Sequence, residues 1–365
     1  MDVCTGMRAN MRHLQRKKRR NNTWKVWMGL AMAMGGTLLL AFASKGSLKR
    51  TAPQGERPVP RCPRKPRSAN RDGVAMERRN LMDVEIVTLS DGWKMPTVGF
   101  GTAGLGVHTQ QAVEWALEAG YRHIDSAQAR AWYREDLVGK ALQKQKGRIA
   151  REDVFLTSKL HPLHFGYNET IAQFQRSLQE LNTTYLDLFL LHYPNCTPKL
   201  CGDITPTGTW KDTWRALEDL HRQGRIRSLG VSNFSPHQMM ELLGFAEVCP
   251  VVLQAYSDPM SYNVELQDLC AREGIQFVAY SSFGIQWILR GAKTNPVLES
   301  PVIRRIAERN NCSTGGAVIA WAHAQGQVVI PRSSKRERIR ANFQEKCKLT
   351  DQDVEEINAL NKRGA

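Results

Sequence analysis

Leu186-Asp187-Leu188-Phe189-Leu190-Leu191-His192 is a short apolar run that ends on an imidazole, and Val154-Phe155-Leu156-Thr157-Ser158-Lys159 is another that ends on an ammonium. Six further runs of this form lie at 97–102, 123–127, 226–233, 251–256, 276–282 and 328–333, separated by segments of helical period. One such segment, 109–119, is expected to be capped by Thr109 at its start and Gly120 at its end. Short apolar runs alternating with helices are the pattern of parallel strands buried on both faces. Eight such units in about 250 residues predict a closed eight-stranded α/β barrel. An open doubly wound sheet is the competing reading and should carry Gly-x-Gly-x-x-Gly after its first strand. Gly99-Phe100-Gly101-Thr102-Ala103-Gly104 opens no convincing helix of that kind. Before the first unit, Glu85 to Thr88, Asp91-Gly92 and Trp93 to Pro96 predict a β-hairpin that closes the barrel floor, with folded structure starting near residue 84.

What ends each run is the functional signal. Asp125, Lys159, His192, Ser232 with Asn233, Gln254, Tyr280, and Arg332 with Ser333 all fall at or near C-terminal strand ends. In a barrel of this kind that is the catalytic face. Each alone has a plain structural explanation: Asp125 as a turn cap, His192 as a satisfied core histidine, Lys159 as a solvated strand end. A set of them at one end of successive apolar strands points to a site.

These residues sit in motifs that together resemble the aldo-keto reductase family over roughly residues 84–362. The motifs are Asp91-Gly92 through Gly101-Thr102, Gly120-Tyr121-Arg122-His123-Ile124-Asp125-Ser126-Ala127 and Thr157-Ser158-Lys159. Leu190-Leu191-His192-Tyr193-Pro194, Gly230-Val231-Ser232-Asn233-Phe234 and Ile330-Pro331-Arg332-Ser333 with Arg338-Ile339 and Asn342 complete them. The resemblance implies a (β/α)8 TIM barrel, an NADPH cofactor and a catalytic tetrad of Asp, Tyr, Lys and His. Asp125, Lys159 and His192 match three tetrad positions. The family pattern places the Tyr five residues after the Asp and three before a Glu. Here Asp125 and Glu135 are too far apart for that: register kept from Glu135 puts Trp132 in the slot, and register kept from Asp125 puts Arg130 there. Tyr133 is the only phenol nearby and is the expected acid, reached through a two- or three-residue excursion; the alternative is a site that has lost its acid.

The chemistry explains why these types are needed together. Hydride addition to a carbonyl leaves negative charge on oxygen, so a proton donor and a positive field must stand there. A phenol with a pKa near 10 donates well only beside a cation that stabilises the phenolate, the role expected of Lys159, with Asp125 holding that lysine protonated and His192 orienting the carbonyl as a neutral imidazole. For the cofactor, the resemblance implies Ser232, Asn233 and Gln254 at the carboxamide, Tyr280 stacked on the nicotinamide, and Arg332, Ser333, Arg338 and Asn342 at the adenosine end, with Thr102 also against the cofactor. Arg332 suits a 2′-phosphate and so favours NADPH over NADH; its plain reading is a solvated basic helix start. Ala103 and His161 stand where the family often has bulky aromatics, and the chain stops soon after Asn361, so a long pocket-narrowing C-terminal loop is not expected.

The first 80 residues are of another kind. They hold 19 Lys and Arg against 4 Asp and Glu, whereas the rest holds 32 against 31. The formal net charge of +16 therefore belongs to the N-terminal segment, and the near-neutral body gives no sign of a nucleic-acid-binding face. Residues 26–44 are uncharged and flanked by Lys25 and Lys45. As a helix they reach about 28 Å, enough for a thin bilayer core, so a single transmembrane or signal-anchor helix is expected. The basic run 16–20 favours a cytoplasmic N-terminus, but the basic residues between Lys45 and Lys65 nearly cancel that bias. Ala41-Phe42-Ala43 has the form of a signal-peptidase site, which leaves cleavage as an alternative. Residues 45–83, rich in Pro, Arg and Lys, are expected to be a disordered basic stalk. Of the eight cysteines none is spaced as a metal ligand; Cys196 and Cys201 either bridge or remain two loop thiols. Within the body, sequons occur at Asn168, Asn182, Asn195, Asn233 and Asn311, of which Asn233 is expected inside the site. The expectation is thus a single-pass membrane protein of the secretory pathway, with a lumenal, monomeric barrel that takes a small carbonyl substrate and no metal. The rival is a cofactor-binding redox sensor or scaffold on the same fold that has lost its proton donor.

Overall fold

The computed structural model describes Cys62 and residues 84–361. The expected membrane segment 26–44 lies outside the described residues, as do the basic run before it and, Cys62 apart, the expected stalk 45–83. No helix among the described residues is long and apolar enough to cross a membrane.

Ile86–Thr88 (β1) and Lys94–Pro96 (β2) pair antiparallel around Asp91-Gly92. Eight strands follow: Phe100–Gly101 (β3), His123–Asp125 (β4), Phe155–Leu160 (β5), Leu186–Leu191 (β6), Ile226–Ser232 (β7), Val252–Tyr256 (β8), Gln276–Tyr280 (β9) and Val328–Val329 (β10). All pair parallel with their sequence neighbours. The two edges meet beyond β3 and β10, where Gly99 N–H donates to Val329 O at 2.8 Å, Val329 N–H to Thr97 O at 2.9 Å and Gly101 N–H to Pro331 O at 3.1 Å. The sheet has no free edge, as the eight-unit reading predicts. Gly99 is required at this seam, because a Cβ there would stand 2.6 Å from His123 Nδ1.

Alternation along the strands sorts the side chains. Leu156 and Leu160, Phe189 and Leu191, Leu229 and Val231 face the helices and form the outer core with Trp214, Phe174 and Trp321. Phe155, Leu188, Leu190, Val252, Val278 and Val328 face inward and pack on Val87, Leu89 and Met95, so the hairpin plugs the floor as expected. Asp91 Oδ2 accepts the Ser228 hydroxyl at 2.7 Å, which ties the hairpin turn to β7.

The helix Thr109–Ala119 begins differently from the expectation. Its N-cap is His108, and Thr109 is its first residue, with its hydroxyl donated back to Gly106 O at 2.8 Å. The short 3-10 turn Gly106–His108 runs directly into the helix, so no extended capping residue precedes it. Gly120 ends it in the left-handed conformation, φ 111°, as its lack of a Cβ predicts. Three disulfides join Cys62 to Cys249, Cys196 to Cys201 and Cys312 to Cys347. The loop pair Cys196 and Cys201 is bridged, and Cys62, inside the expected stalk, is fixed to the loop before β8.

Candidate active site

The inward face of each strand changes character from floor to mouth. On β5 it runs Phe155, Thr157, Lys159; on β6, Leu188, Leu190, then His192; on β8, Val252, Gln254, Tyr256; after β10, Val328, Ile330, Arg332. Apolar side chains thus fill the lower barrel and polar ones converge where the strands end.

At the centre, Lys159 is 0% exposed and Asp125 2%. Lys159 Nζ donates to Asp125 Oδ1 at 2.6 Å and to Ser126 O at 2.8 Å, while Asp125 Oδ2 accepts Gln254 Nε2 at 2.7 Å. A buried pair of this kind persists only when its remaining donors and acceptors are met, which Ser126 and Gln254 do. Burial pushes the Lys159 pKa down, and the Asp125 carboxylate opposes that fall.

Tyr133 reaches this pair. The extra residues between Asp125 and Glu135 close as a turn in which the N–H groups of both Trp132 and Tyr133 bond to Ala129 O, at 2.8 and 2.9 Å. Trp132 O in turn accepts Gly104 N–H at 2.6 Å, fixing this loop to the one after β3. The turn leaves Trp132 and Arg130 exposed, and it carries the Tyr133 ring to 5.2 Å from Lys159 Nζ and edge-on to the His192 ring, centroids 5.9 Å apart. Of the two register alternatives neither side chain enters the site: Arg130 pairs with Glu180 outside the barrel. The electrostatics differ from the expectation. Burial, reinforced by the Asp125 carboxylate, raises the Tyr133 pKa well above that of a free phenol. The ammonium of Lys159 is spent on Asp125 and Ser126 and lies over the ring, so Tyr133 stays a firmly protonated phenol here. His192 stacks on Tyr193, centroids 4.7 Å apart, and burial together with Lys159 holds its pKa well below 6.5, so it is the expected neutral imidazole. Its Nδ1 is buried without a hydrogen-bond partner.

The expected cofactor residues fall in two groups. Ser232 and Asn233 end β7; Asn233, at φ 63°, donates Nδ2 to His192 O (2.9 Å) and Ser232 Oγ (3.0 Å) and accepts the Tyr280 hydroxyl at 2.7 Å. Asn233 therefore braces His192 and Tyr280 and does not present a free amide. Gln254 has one amide hydrogen bond to Asp125, leaving Oε1 outside that bond. Thr102, fully buried, donates its hydroxyl to Asp125 O at 2.8 Å and so supports β4 from the side. In the second group, Arg332 is half-buried, its pKa lowered by burial, with no carboxylate partner among the described residues. Ser333 Oγ accepts Lys335 N–H at 3.1 Å, and Arg338 and Asn342 lie four residues apart on one face of the helix Arg336–Gln344. Ser282 was not singled out from sequence. It is 7% exposed, its hydroxyl has no partner, and it follows Ser281 at φ 57° in the loop after β9. A serine in a polar Ser-Ser pair carries no sequence signal that separates it from an ordinary turn.

Behind the site, Glu135 opens the helix Glu135–Lys144 and accepts the hydroxyls of Ser158 (2.5 Å) and Ser177 (2.9 Å). Burial pushes its pKa up to about 7. The folded state therefore binds this proton more tightly than the unfolded chain does. Its stabilising contribution is complete below the ordinary Glu range and is lost as pH rises through about 7. Glu135→Gln is accordingly expected to be more stable than the parent above about pH 8, by roughly 3 kcal/mol, with the gain vanishing near pH 4. Chemical denaturation of both proteins across that range checks it; a gain that does not depend on pH would refute it.

The aldo/keto reductase family model matches residues 97–362. Glyoxal reductase of Bacillus subtilis is 38% identical over 282 residues, covering 76% of this chain and 93% of that protein. The 9,11-endoperoxide prostaglandin H2 reductase of Trypanosoma cruzi is 34% identical over 278 residues, covering 75% and 91%. Among solved structures, an aldo-keto reductase of Bombyx mori in complex with NADP superposes with a TM-score of 0.69 at 31% identity, covering 76% of this chain and 92% of that one. An aldo/keto reductase from Brucella melitensis gives 0.66 at 34%, covering 76% and 100%.

Proposed function

The chain belongs to the aldo/keto reductase family of NADP-dependent oxidoreductases, and on that premise we propose that it reduces an aldehyde or ketone to an alcohol with NADPH, with Tyr133 giving the proton. The observation that carries this reading is the cluster of Asp125, Lys159, Tyr133 and His192 at one end of the barrel.

The chemistry that NADPH would bring when bound is a hydride for the carbonyl carbon. His192, neutral, donates a hydrogen bond that orients the carbonyl oxygen. Tyr133, protonated in the resting site, transfers its phenolic proton to that oxygen as charge develops there. The phenolate left behind lies beside the Lys159 ammonium, which stabilises it in a water-poor site where such a field is strong. Asp125, with Gln254 on its other oxygen, fixes where Lys159 points.

The residues present suit the cofactor. A half-buried guanidinium without a carboxylate at Arg332, an exposed Arg338 and the unpartnered hydroxyl of Ser282 suit a ligand that carries several phosphates. Tyr280, held by Asn233, would stack on the nicotinamide ring. The Bombyx mori relative's structure with NADP supports the same cofactor here. The mouth is less aromatic than the family often shows, with Ala103 after β3 and His161 after β5. His161 Nδ1 accepts Leu163 N–H at 3.2 Å, so its Nε2 carries the hydrogen and offers a polar donor at the pocket rim.

Arg332→Met tests the cofactor assignment. A lost charge-assisted contact to a 2′-phosphate is expected to weaken NADPH binding about 10- to 100-fold while NADH binding changes little. Equal effects on the two dinucleotides would remove Arg332 from the phosphate site.

A further inference from the structure

The barrel carries cysteine chemistry that its reaction does not use. Every described cysteine except Cys270 is paired, and the three pairs have Cα separations of 5.7, 5.8 and 5.5 Å, within the range a disulfide spans. Cys270 is buried in the core, with its thiol pushed up to about 12 by that burial, so no reactive thiol is left at the surface of the described residues. The pairs lie in three separate surface loops: at the floor before β8, after β6, and between the helix Pro301–Arg309 and the segment following Arg336–Gln344. In a reducing cytosol such pairs stay as thiols; three of them, with no exposed thiol left over, are the pattern of a chain oxidised while it folds.

The sequons give an independent observation, because the structure sorts them. Asn233 is inside the site. Asn168 is exposed, but Thr170 of its sequon is fully buried and bonded to Gly166 O. In the sequons of Asn195 and Asn311 the middle residue is a bridged cysteine, and Ser313 of the latter is spent on capping Gly316 and bonding Glu345. Asn182-Thr183-Thr184 is different. Asn182 is exposed at φ 52° as the C-cap of the helix Tyr167–Leu181, and Thr184 is exposed with no hydroxyl partner among the described residues. The turn precedes β6, so it stands at the floor, away from the mouth. The uncharged stretch 26–44, read as a signal-anchor, would supply the means of entering the secretory pathway.

We propose that the barrel is folded in the oxidising lumen of the secretory pathway and that Asn182 is its N-glycan acceptor. This is independent of the reductase reading. In the lumen each cysteine pair gives two electrons and two protons to a disulfide oxidant, which leaves as its dithiol. The Asn182 amide nitrogen forms a bond to C1 of an oligosaccharide, losing a proton as the lipid pyrophosphate carrier departs.

The test is the full chain expressed in a secretory-competent eukaryotic cell, with free thiols alkylated at lysis. Peptide mass spectrometry is read with and without reduction, and mobility with and without N-glycosidase. The expected result is a glycosidase-sensitive form with glycan on Asn182, and Cys62, Cys196, Cys201, Cys249, Cys312 and Cys347 alkylated only after reduction. Thr184→Ala, which keeps the Asn182 turn, is expected to lose that glycan and keep the blocked thiols, showing that the variant still reached the lumen. A chain without glycan whose six cysteines are alkylated directly would overturn the proposal. Blocked thiols with Asn182 bare in the parent chain would overturn the acceptor assignment.

Discussion

Tyr133→Phe is expected to lower kcat for carbonyl reduction by about two to four orders of magnitude, the usual contribution of a positioned general acid, with NADPH affinity nearly unchanged. The phenol stands over Lys159 and beside His192, and among the described residues no other phenol ring lies against that ammonium. Tyr193 is the control. Its ring stacks on His192, so Tyr193→Phe keeps the packing and is expected to retain most activity. Tyr280 spends its hydroxyl on Asn233. Full turnover in Tyr133→Phe would transfer the acid role elsewhere, and comparable losses in the two variants would make the effect one of packing.

Lys159→Met is expected to cost about 3–5 kcal/mol of stability as well as activity, because it strands a buried carboxylate with Gln254 as its one remaining side-chain donor. For a barrel of this size that lowers the thermal midpoint by roughly 10 °C. Adding Asp125→Asn removes the stranded charge, so the double variant is expected to recover most of the stability and none of the turnover. Thermal melts beside initial rates separate the two roles. A double variant no more stable than the single one would mean that the Lys159 stem, and not its charge, held the site.

The strands were legible because β5, β6 and β8 are buried on both faces and read as continuous apolar runs. Asp125, Lys159 and His192 were legible because each interrupts such a run at the same end. Tyr133 was only half legible: counting from either side gives Arg130 or Trp132, and the turn that decides the matter is made by backbone bonds to Ala129. The upward pull of burial and Asp125 on its pKa is not legible in the sequence, and neither is the position of Lys159 over its ring. Glu135 reads as an ordinary first-turn acid, and its depth comes from Ser158 and Ser177 on two other elements. Cys62 and Cys249 are 187 residues apart, and pairing over that distance follows only from the closed fold.

The most direct test of the central claim is to titrate NADPH into the full chain by its intrinsic tryptophan fluorescence and then follow nicotinamide absorbance with a panel of small aldehydes and quinones. The structure predicts saturable binding and carbonyl-dependent oxidation of NADPH. Tight binding with no turnover across the panel would contradict it and leave a cofactor-binding protein without a working proton donor.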